Sequence, residues 1–500
     1  MTPNISAEAL AHIRKESLDL YNRLHSIEED ISFVDSVRRA YPSQAFLPNL
    51  RCGAWYTDPT YSRNTPAYFK STDGHYGNWS FNLRRPNLHL INVAIEHRGL
   101  ILVDSTRAGK RIPDALSKTL PIWCSVINRA VLLRHQAHAC TRGPFWNTAL
   151  YTPPAVVSAQ EHKQIESRLD EWAENLSSSS YDLPDLPAPL RPLWISPATS
   201  TFPFLPPSDR PLSDSSFIPI ICVSASKQVH EGIERRSLGF AYIQGSGDDH
   251  ELWGMGLTPE LFWQNREKIL SQSRESLETF VNNMVSGSSA SMRNALGANP
   301  PTPIVKASSR LLLTSLSDLP TTPPSPTIRD DTPRPPAFLL ITPLEDHNTP
   351  DSPPTQLSHD LPSAAFPPVL KIGLTPGKKG QHQLLKTVLP QAESFVGFHL
   401  KRGSDVCIAC ESGKDASIGV ALAMLQRFFD DEGKYKDGPG ISREAVVTKQ
   451  SIRTRLQWII SARPQANPSR ATLKRVNEFL LSPGFIATDS LGVEGSPSRA

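Results

Sequence analysis

The chain has 500 residues, a formal net charge of +3 and 39% hydrophobic residues, enough for the cores of two or three domains. Its six cysteines form no disulfide framework, and its one CxxC pair, Cys407 and Cys410, lacks the second ligand pair that a structural zinc site needs. No apolar run is long enough to span a bilayer, and the charged segment 1–33 has no secretory signal core, so we expect a cytoplasmic protein without a membrane partner.

Positive charge is concentrated in one part of the chain. Between Arg84 and Arg142 there are 10 Lys and Arg residues and 3 Asp and Glu residues, a local excess of 10 − 3 = +7. Such a run suits an anionic partner, either nucleic acid or a phosphorylated small molecule. A solvated basic surface is the alternative interpretation.

The first part of the chain is predicted to alternate helices and strands. Apolar residues at helical spacing predict a helix or a helix pair over 5–40. The apolar run 100–103 predicts a buried strand, which leads through a polar loop into a helix after Pro113. Residues 161–176 read as one helix, and 10 prolines in 184–219 predict mostly extended chain.

Two further elements complete the predicted first domain. The segment "SFIPIICVSAS" predicts a strand, and "LTPELFWQNREKILSQSRESLETFVNNM" predicts one long helix with Thr258 as its N-cap and Pro259 in its first turn. These elements predict an α/β (α+β) domain over 1–299, and the candidate sites described below assign substrate and RNA binding to it.

Prolines dominate the start of the second part. Residues 300–368 contain 17 of the 46 prolines in the chain. The apolar runs 310–319 and 337–344 predict strands within this region, so we interpret 320–336 and 347–368 as disordered Pro-rich insertions.

A second α/β domain is predicted over 303–490. After the insertions come a helix at about 381–401, the strand "VCIAC", a tight loop, the helix "IGVALAMLQRFFD" and a final helical pair.

The loop "CESGKDAS" has the composition of an anion cradle. It follows a strand and enters a helix, so backbone N–H groups and the helix dipole point at one spot. Gly413 permits a tight bend, and Lys414 adds a positive charge. A cysteine phosphatase also needs an arginine to clamp phosphate, but Ala416 stands there, and Ala409 replaces the histidine that commonly precedes the cysteine. The candidate phosphate-binding residues are Cys410, Glu411, Ser412, Gly413, Lys414, Asp415, Ala416 and Ser417. The alternative is that Cys410 is a small buried residue.

The loop after the predicted strand 100–103 is a second candidate anion site. Asp104 stands at the carboxyl end of the strand, where ligands bind in open α/β sheets. It could bond ribose hydroxyls or a metal-bound water. The hydroxyls and cations that follow suit a diphosphate, and they are Ser105, Thr106, Arg107, Gly109, Lys110 and Arg111. A basic loop that caps a helix is the alternative.

Two more clusters carry possible chemistry. In "GSGDDHELW", Asp248 and Asp249 suit Mg²⁺, and one of them or His250 could act as a base. A solvated acidic turn is the alternative. The segment 68–89 interleaves aromatic and basic residues, as RNA-binding surfaces do, and a surface hairpin with core aromatics is the alternative. Its candidate RNA-binding residues are Lys70, Ser71, Thr72, Asp73, His75, Trp79, Arg84 and Arg85.

Several motifs together resemble one family. The order of elements around "CESGKDASIGVAL" resembles dual-specificity phosphatases. With "RCGAWY", "YFKSTDGHYGNWSFNLRRPNLHL", "VDSTRAGKRIPDALSKTLPIWC" and "YIQGSGDDHELWGMGLTPELFW", the chain resembles the initiator-tRNA phosphoribosyltransferases of fungi and plants.

This resemblance implies an enzyme that transfers a ribosyl phosphate from phosphoribosyl pyrophosphate to the 2′-hydroxyl of an adenosine in the T arm of initiator tRNA. The modification keeps this tRNA out of elongation. We expect Mg²⁺ as cofactor, a monomer, and both anion cradles facing one cleft between the domains.

Three other functions remain open from the residues alone. One is an RNA-binding protein with a dead phosphatase domain, which needs neither Asp104 nor the pair Asp248 and Asp249. Another is a residual cysteine phosphatase, which depends on Cys410. The third is a scaffold whose Pro-rich insertions serve as polyproline ligands.

Overall fold

A computed structural model gives the structure of the protein, and the chain divides into two compact units, Met1–Met292 and Arg293–Ala500. The structure describes residues 7–49, 52–63, 65–107, 109–134, 146–205, 211–229, 233–237, 239–291, 299–319, 327–329, 332–334, 336–344, 367–436 and 447–482.

The first unit is built on a four-stranded parallel sheet in the order β1-β2-β4-β3. Its strands are β1 (Ala45–Pro48), β2 (Leu100–Asp104), β3 (Leu190–Ile195) and β4 (Ile218–Ser224). The register pairs Ala45 with Leu100, and Leu100 with Ile220. β2 and β4 are buried along their whole length, which explains why both read as continuous apolar runs. Beside the sheet lies a short antiparallel pair, β5 (Ile233–Arg235) and β6 (Ala241–Ile243).

Helices cover both faces of this sheet. The helices of this unit are α1 (Ala7–Leu18), α2 (Leu20–Ala40), α3 (His89–Glu96), α4 (Leu120–Arg134), α5 (Ala159–Glu166), α6 (Leu169–Ser177), α7 (Pro259–Leu270) and α8 (Arg274–Ser291). Ile101 and Val103 belong to a core shared with α2, α7 and α8. Leu100 and Leu102 point to the opposite face, where α4 packs against β3. The loop after Asp104 begins at the carboxyl end of β2, between the ends of β1 and β4, whereas the loop 245–251 follows β6.

The second unit contains a five-stranded sheet in the order β12-β11-β13-β8-β7, parallel except for the edge strand β7. Its strands are β7 (Thr302–Pro303), β8 (Leu311–Ser315), β11 (Ala337–Pro343), β12 (Val369–Leu374) and β13 (Val406–Cys410), and a separate ladder joins β9 (Thr327–Arg329) to β10 (Thr332–Arg334). Its helices are α9 (Gly377–Gln383), α10 (Leu389–Lys401), α11 (Ala416–Phe428), α12 (Lys449–Ala462) and α13 (Arg470–Leu481). The central helix α11 is almost wholly buried against α10, α12 and α13.

The structure confirms the predicted α/β class and corrects two helices. The predicted helix 161–176 is the separate pair α5 and α6, because the Ser167 hydroxyl bonds the Gln164 carbonyl where α5 ends. The helix predicted after Thr258 ends at Leu270, and Ser273 accepts from the Ser276 backbone N–H as α8 begins. Thr258 and Pro259 open α7 as predicted.

The Pro-rich insertions need a partial correction. Part of 320–336, predicted to be disordered, forms the antiparallel ladder of β9 and β10. The remainder of that segment, apart from residue 336, and nearly all of 347–368 lie outside the described residues. Within the described part of the chain, no helix has the length and apolar character to cross a bilayer.

Candidate functional site

Asp104 organises the turn that follows β2. Its side chain is fully buried. One carboxylate oxygen accepts from Asn49 Nδ2 at 2.8 Å, and the other accepts from Cys52 Sγ and the Ser105 backbone N–H at 2.9 Å each. Asn49 and Cys52 follow β1, and Ser105 follows β2, so the buried Asp104 carboxylate links the segment after β1 to the segment after β2.

A chain of buried hydroxyls continues inward from Ser105. Ser105 Oγ lies 2.6 Å from Ser226 Oγ, and Ser226 Oγ lies 2.5 Å from Asp30 Oδ2. Tyr242 donates to the other Asp30 oxygen at 2.6 Å. Burial raises the pKa of Asp30 from 3.8 to about 8, although the bonds from Ser226 and Tyr242 oppose the rise. The Gly245 N–H also donates to Ser226, so this chain joins α2 to both candidate loops.

The loop after Asp104 and the loop 245–251 are brought into contact. Arg107 Nε lies 3.2 Å from Asp248 Oδ2, and its Nη2 donates to Asp249. Gly245 has φ +71°, and a Cβ there would lie only 2.4 Å from the Thr106 carbonyl oxygen. The close approach therefore depends on glycine. Arg107 is 67% exposed, so it lies at the mouth of the site, above the buried carboxylate of Asp248.

Asp114 is the centre of an ion-pair cluster that includes Lys110 of the loop after Asp104. Lys110 and Lys118 both bind Asp114, and His75 Nε2 lies 3.7 Å from the same carboxylate. Burial alone would raise the pKa of Asp114, but the hydrogen bonds from the two lysines outweigh it and lower the pKa. Lys118 Nζ also lies 3.0 Å from Glu161 Oε1. Gly109 and Lys110 are exposed, and the Arg111 carbonyl accepts from Ser224 at 3.0 Å.

The predicted tRNA-binding segment splits into supporting and exposed residues. Lys70 precedes a 3₁₀ turn over Ser71–Gly74, which contains the exposed Thr72. Asp73 pairs with Arg85 at 2.9 Å, and both side chains are nearly buried. Arg84 is half-buried.

Trp79 is a core residue, not an exposed stacking surface. Its side chain is buried and its Nε1 donates to Glu161 at 3.0 Å. This burial supports the alternative of a core aromatic at Trp79, while RNA binding by the segment 68–89 stays a prediction. The exposed aromatic of this segment is Tyr76, which the sequence interpretation missed.

Asp248 and Asp249 suit only part of a magnesium shell. The described residues contain no group of three or more side chains that could hold a metal ion. Mg²⁺ commonly takes one or two carboxylates and completes its shell with substrate phosphates and water. The donor set therefore fits an ion that arrives with a diphosphate. His250 packs its ring against Trp55, with the centroids 5.7 Å apart.

The second candidate site is the loop between β13 and α11. Cys410 ends the strand at 5% exposure, and its Sγ lies 3.1 Å from the buried Ser417 Oγ. Glu411, Ser412 and Lys414 are exposed at the tip. Because α11 begins at Ala416, the N–H groups of its first turn point out of the helix toward this tip.

A buried arginine from another element supports this loop. Arg463 follows the last residue of α12, and its Nε donates to the Gly413 carbonyl at 3.0 Å. Gly413 has φ +62°, and a Cβ there would lie 2.7 Å from Arg463 Nη2. Burial lowers the pKa of Arg463. Asp415 accepts from the Ser469 N–H at 2.9 Å, which fixes the far end of the loop.

Four supporting residues were missed by the sequence interpretation. They are Asp30, Asn49, Asp114 and Arg463. Asp114 had a detectable signal, since it stands four residues from both Lys110 and Lys118. The other three bind partners far away in the sequence.

Comparison with known proteins gives consistent matches along the chain. The Rit1 N-terminal domain matches residues 13–286, and the Rit1 DUSP-like domain matches residues 368–480. An uncharacterized protein of Schizosaccharomyces pombe is 36% identical over 496 residues, which cover 96% of this chain and 98% of that protein. The tRNA A64-2′-O-ribosylphosphate transferase of Saccharomyces cerevisiae is 31% identical over 508 residues, which cover 94% of this chain and 93% of that protein. The crystal structure of human DUSP28 is 13% identical and covers 36% of this chain and 93% of its own, with a TM-score of 0.21.

Proposed function

The chain belongs to the Rit1 family, and from this membership we propose that it transfers a ribosyl phosphate to the 2′-oxygen of an adenosine in initiator tRNA. We further propose phosphoribosyl pyrophosphate as the donor, the T arm as the site of modification, and the exclusion of the tRNA from elongation as the result. The structural observation that carries this proposal is the contact of Arg107 with Asp248 and Asp249, which joins a cationic loop to two carboxylates.

The reaction is a displacement at C1 of the donor ribose. The 2′-hydroxyl oxygen forms a bond to C1, the bond from C1 to the pyrophosphate oxygen breaks, and the hydroxyl proton is released. Positive charge develops on the ribose and negative charge on the departing diphosphate. Arg107, Lys110 and Arg111 can neutralise the diphosphate, and bidentate guanidinium contacts fit its oxygens.

The carboxylates have two roles in this proposal. Asp248 and Asp249 would hold Mg²⁺, which supplies charge neutralisation for the diphosphate. Arg107 would then turn from these carboxylates to the donor. Asp104 is buried and its oxygens accept three protein donors, so we assign it to positioning the loop and not to contact with substrate.

The loop at Cys410 is proposed to bind a phosphate group without hydrolysing it. The exposed Lys414 and the first turn of α11 supply the attraction. Arg463 binds the backbone of the loop and does not replace the missing phosphate clamp.

The test is a transfer assay with purified protein, Mg²⁺, labelled phosphoribosyl pyrophosphate and either initiator or elongator tRNA. We expect label only in initiator tRNA. Arg107→Gln should lower kcat/KM by about 10²-fold or more, since one preorganised charge contact is lost. Arg39→Gln is the matched control, because Arg39 is an exposed arginine that pairs with Asp35 in α2. Absence of label in both tRNAs contradicts the transferase.

Phosphate release and equilibrium binding of tRNA, measured beside the transfer assay, separate the two main alternatives. A cysteine phosphatase would lose phosphate release in Cys410→Ser, whereas the transferase should keep most of its activity in that variant. An RNA-binding protein without activity would bind tRNA and leave the donor intact. If Lys414→Ala leaves the affinities for donor and tRNA unchanged, the Cys410 loop is not a phosphate cradle.

A further inference from the structure

We propose that Tyr76 stacks on an unpaired nucleobase of the tRNA, while Arg168 holds a neighbouring phosphate. This inference rests on the proposed function and names the RNA-contacting surface of the same site. Its residues lie in the loop 75–79 and at the start of α6.

The base of the loop 75–79 is rigid. Trp79 is 4% exposed, and Glu161 accepts from both Trp79 Nε1 and Lys118 Nζ at 3.0 Å. A Cβ on Gly74 would lie 2.7 Å from the Asp114 carbonyl oxygen, so the turn before the loop packs directly on the chain that enters α4. A side chain carried on this base has a fixed position before any ligand binds.

The tip of the loop presents an aromatic ring to solvent. The Asn78 N–H bonds the His75 carbonyl at 2.9 Å, and Gly77 has φ +76°, so the tip is a tight turn. Tyr76 is 67% exposed. The Tyr76 and Trp79 rings meet edge to face, with centroids 5.3 Å apart, and this contact orients the exposed ring.

Two basic groups lie near this ring. His75, the residue before Tyr76, lies 3.7 Å from the Asp114 carboxylate, which also binds Lys110 of the loop after Asp104. The Arg168 guanidinium lies 5.3 Å from the centroid of the Trp79 ring, which Tyr76 contacts edge to face. Arg168 is exposed.

An exposed aromatic ring near basic residues matches the chemistry of splayed RNA better than that of duplex RNA. Proteins recognise unstacked bases by stacking them on aromatic rings while basic residues follow the backbone. The contact through Asp114 places this surface next to the loop after Asp104, so the base that stacks on Tyr76 belongs to the reacting adenosine or to a close neighbour.

The test measures transfer at saturating donor with tRNA varied. Tyr76→Ala and Tyr76→Leu should raise KM for tRNA by about 5- to 150-fold, the range for losing one base stack, and leave KM for the donor unchanged. Tyr76→Phe should keep the wild-type KM, because it keeps the ring. The control is Tyr61→Ala, since Tyr61 is 57% exposed elsewhere in the same unit and stacks on Arg38.

Two outcomes overturn the inference. One is a wild-type KM for tRNA in Tyr76→Ala, and the other is an equal rise in KM for Tyr76→Phe and Tyr76→Ala. Failure of the proposed function is separate, because the wild-type protein would then transfer no label. In that case the same variants are compared by equilibrium binding of the tRNA, where unchanged affinity in Tyr76→Ala overturns the inference and weaker affinity supports it.

Discussion

At the scale of single residues, Asp30 is a carboxylate on the buried face of α2 whose pKa is raised. It lies on the buried side of α2, 3% exposed, with Ser226 and Tyr242 as partners. The charged and titratable groups around it are Tyr242, Tyr56, Glu29 and Arg236. Because burial raises its pKa to about 8, the folded chain keeps a proton that the unfolded chain releases above 3.8.

The sign of the resulting pH dependence follows from this proton. Between pH 3.8 and about 8 the folded state binds more protons than the unfolded state, so stability falls as pH rises through this window. The slope is at most about 1.4 kcal/mol per pH unit. Asp30→Asn keeps an acceptor oxygen for the Ser226 hydroxyl and removes the titration.

We therefore expect the free energy of unfolding of Asp30→Asn, relative to wild type, to increase as pH is raised from about 5 to 8.5. Urea unfolding at a series of pH values measures it. Asp35→Asn serves as the control, because Asp35 lies on the same helix in surface ion pairs with Arg38 and Arg39. A difference between Asp30→Asn and wild type that stays constant with pH would contradict a raised pKa.

At the scale of elements, the sequence predicted the strands and helix starts that local residue patterns specify. The runs of β2 and β4 are apolar because both faces of those strands are covered, and Thr258 with Pro259 is a sufficient start signal for α7. The breaks after α5 and α7 were missed because serines there bond nearby backbone within otherwise helical patterns.

The candidate site was predictable only in pieces. Both loops were recognised separately, but Arg107 and Asp248 are 141 positions apart, and no local pattern specifies their contact. Asp30 sits at a position of α2 that faces the core, where helical spacing gives no reason for a carboxylate. Such polar residues are selected by partners on other elements, and single-sequence reasoning does not detect those partners.

Arg463 gives a prediction about how elements support one another. It donates to the Gly413 carbonyl and to Thr302, so it joins the end of α12 to the Cys410 loop and to β7. Arg463→Met should destabilise the protein by about 2–4 kcal/mol, because buried acceptors lose their partner. The effect is measured by chemical denaturation.

Arg453→Met is the matched control, since Arg453 is exposed on the same helix and should change stability by no more than about 0.5 kcal/mol. Equal stabilities of the two variants would mean that water replaces the Arg463 donors and that the loop does not depend on them.

At the scale of the whole molecule, the small net charge of +3 conceals the local distribution. Many cations of the basic run are paired, as Arg85 is with Asp73 and Lys118 is with Asp114. The local excess of positive charge therefore overstates the number of basic residues that are available to contact RNA. One exposed candidate, Arg168, lies outside the basic run, and composition alone did not identify it.

This distribution predicts a measurable salt dependence. The affinity for tRNA should fall linearly on a plot of log K against log salt, because each phosphate contact releases a counterion. Arg168→Gln should reduce the magnitude of the slope by about 0.7 to 0.9, the value of one contact, whereas Arg39→Gln should leave it unchanged. Titrations of labelled tRNA between roughly 50 and 200 mM salt measure both slopes.

A slope near zero for the wild type would mean that shape and stacking, and not phosphate contacts, hold the tRNA. An unchanged slope in Arg168→Gln would remove α6 from the RNA surface while leaving Tyr76 to be judged on its own variants.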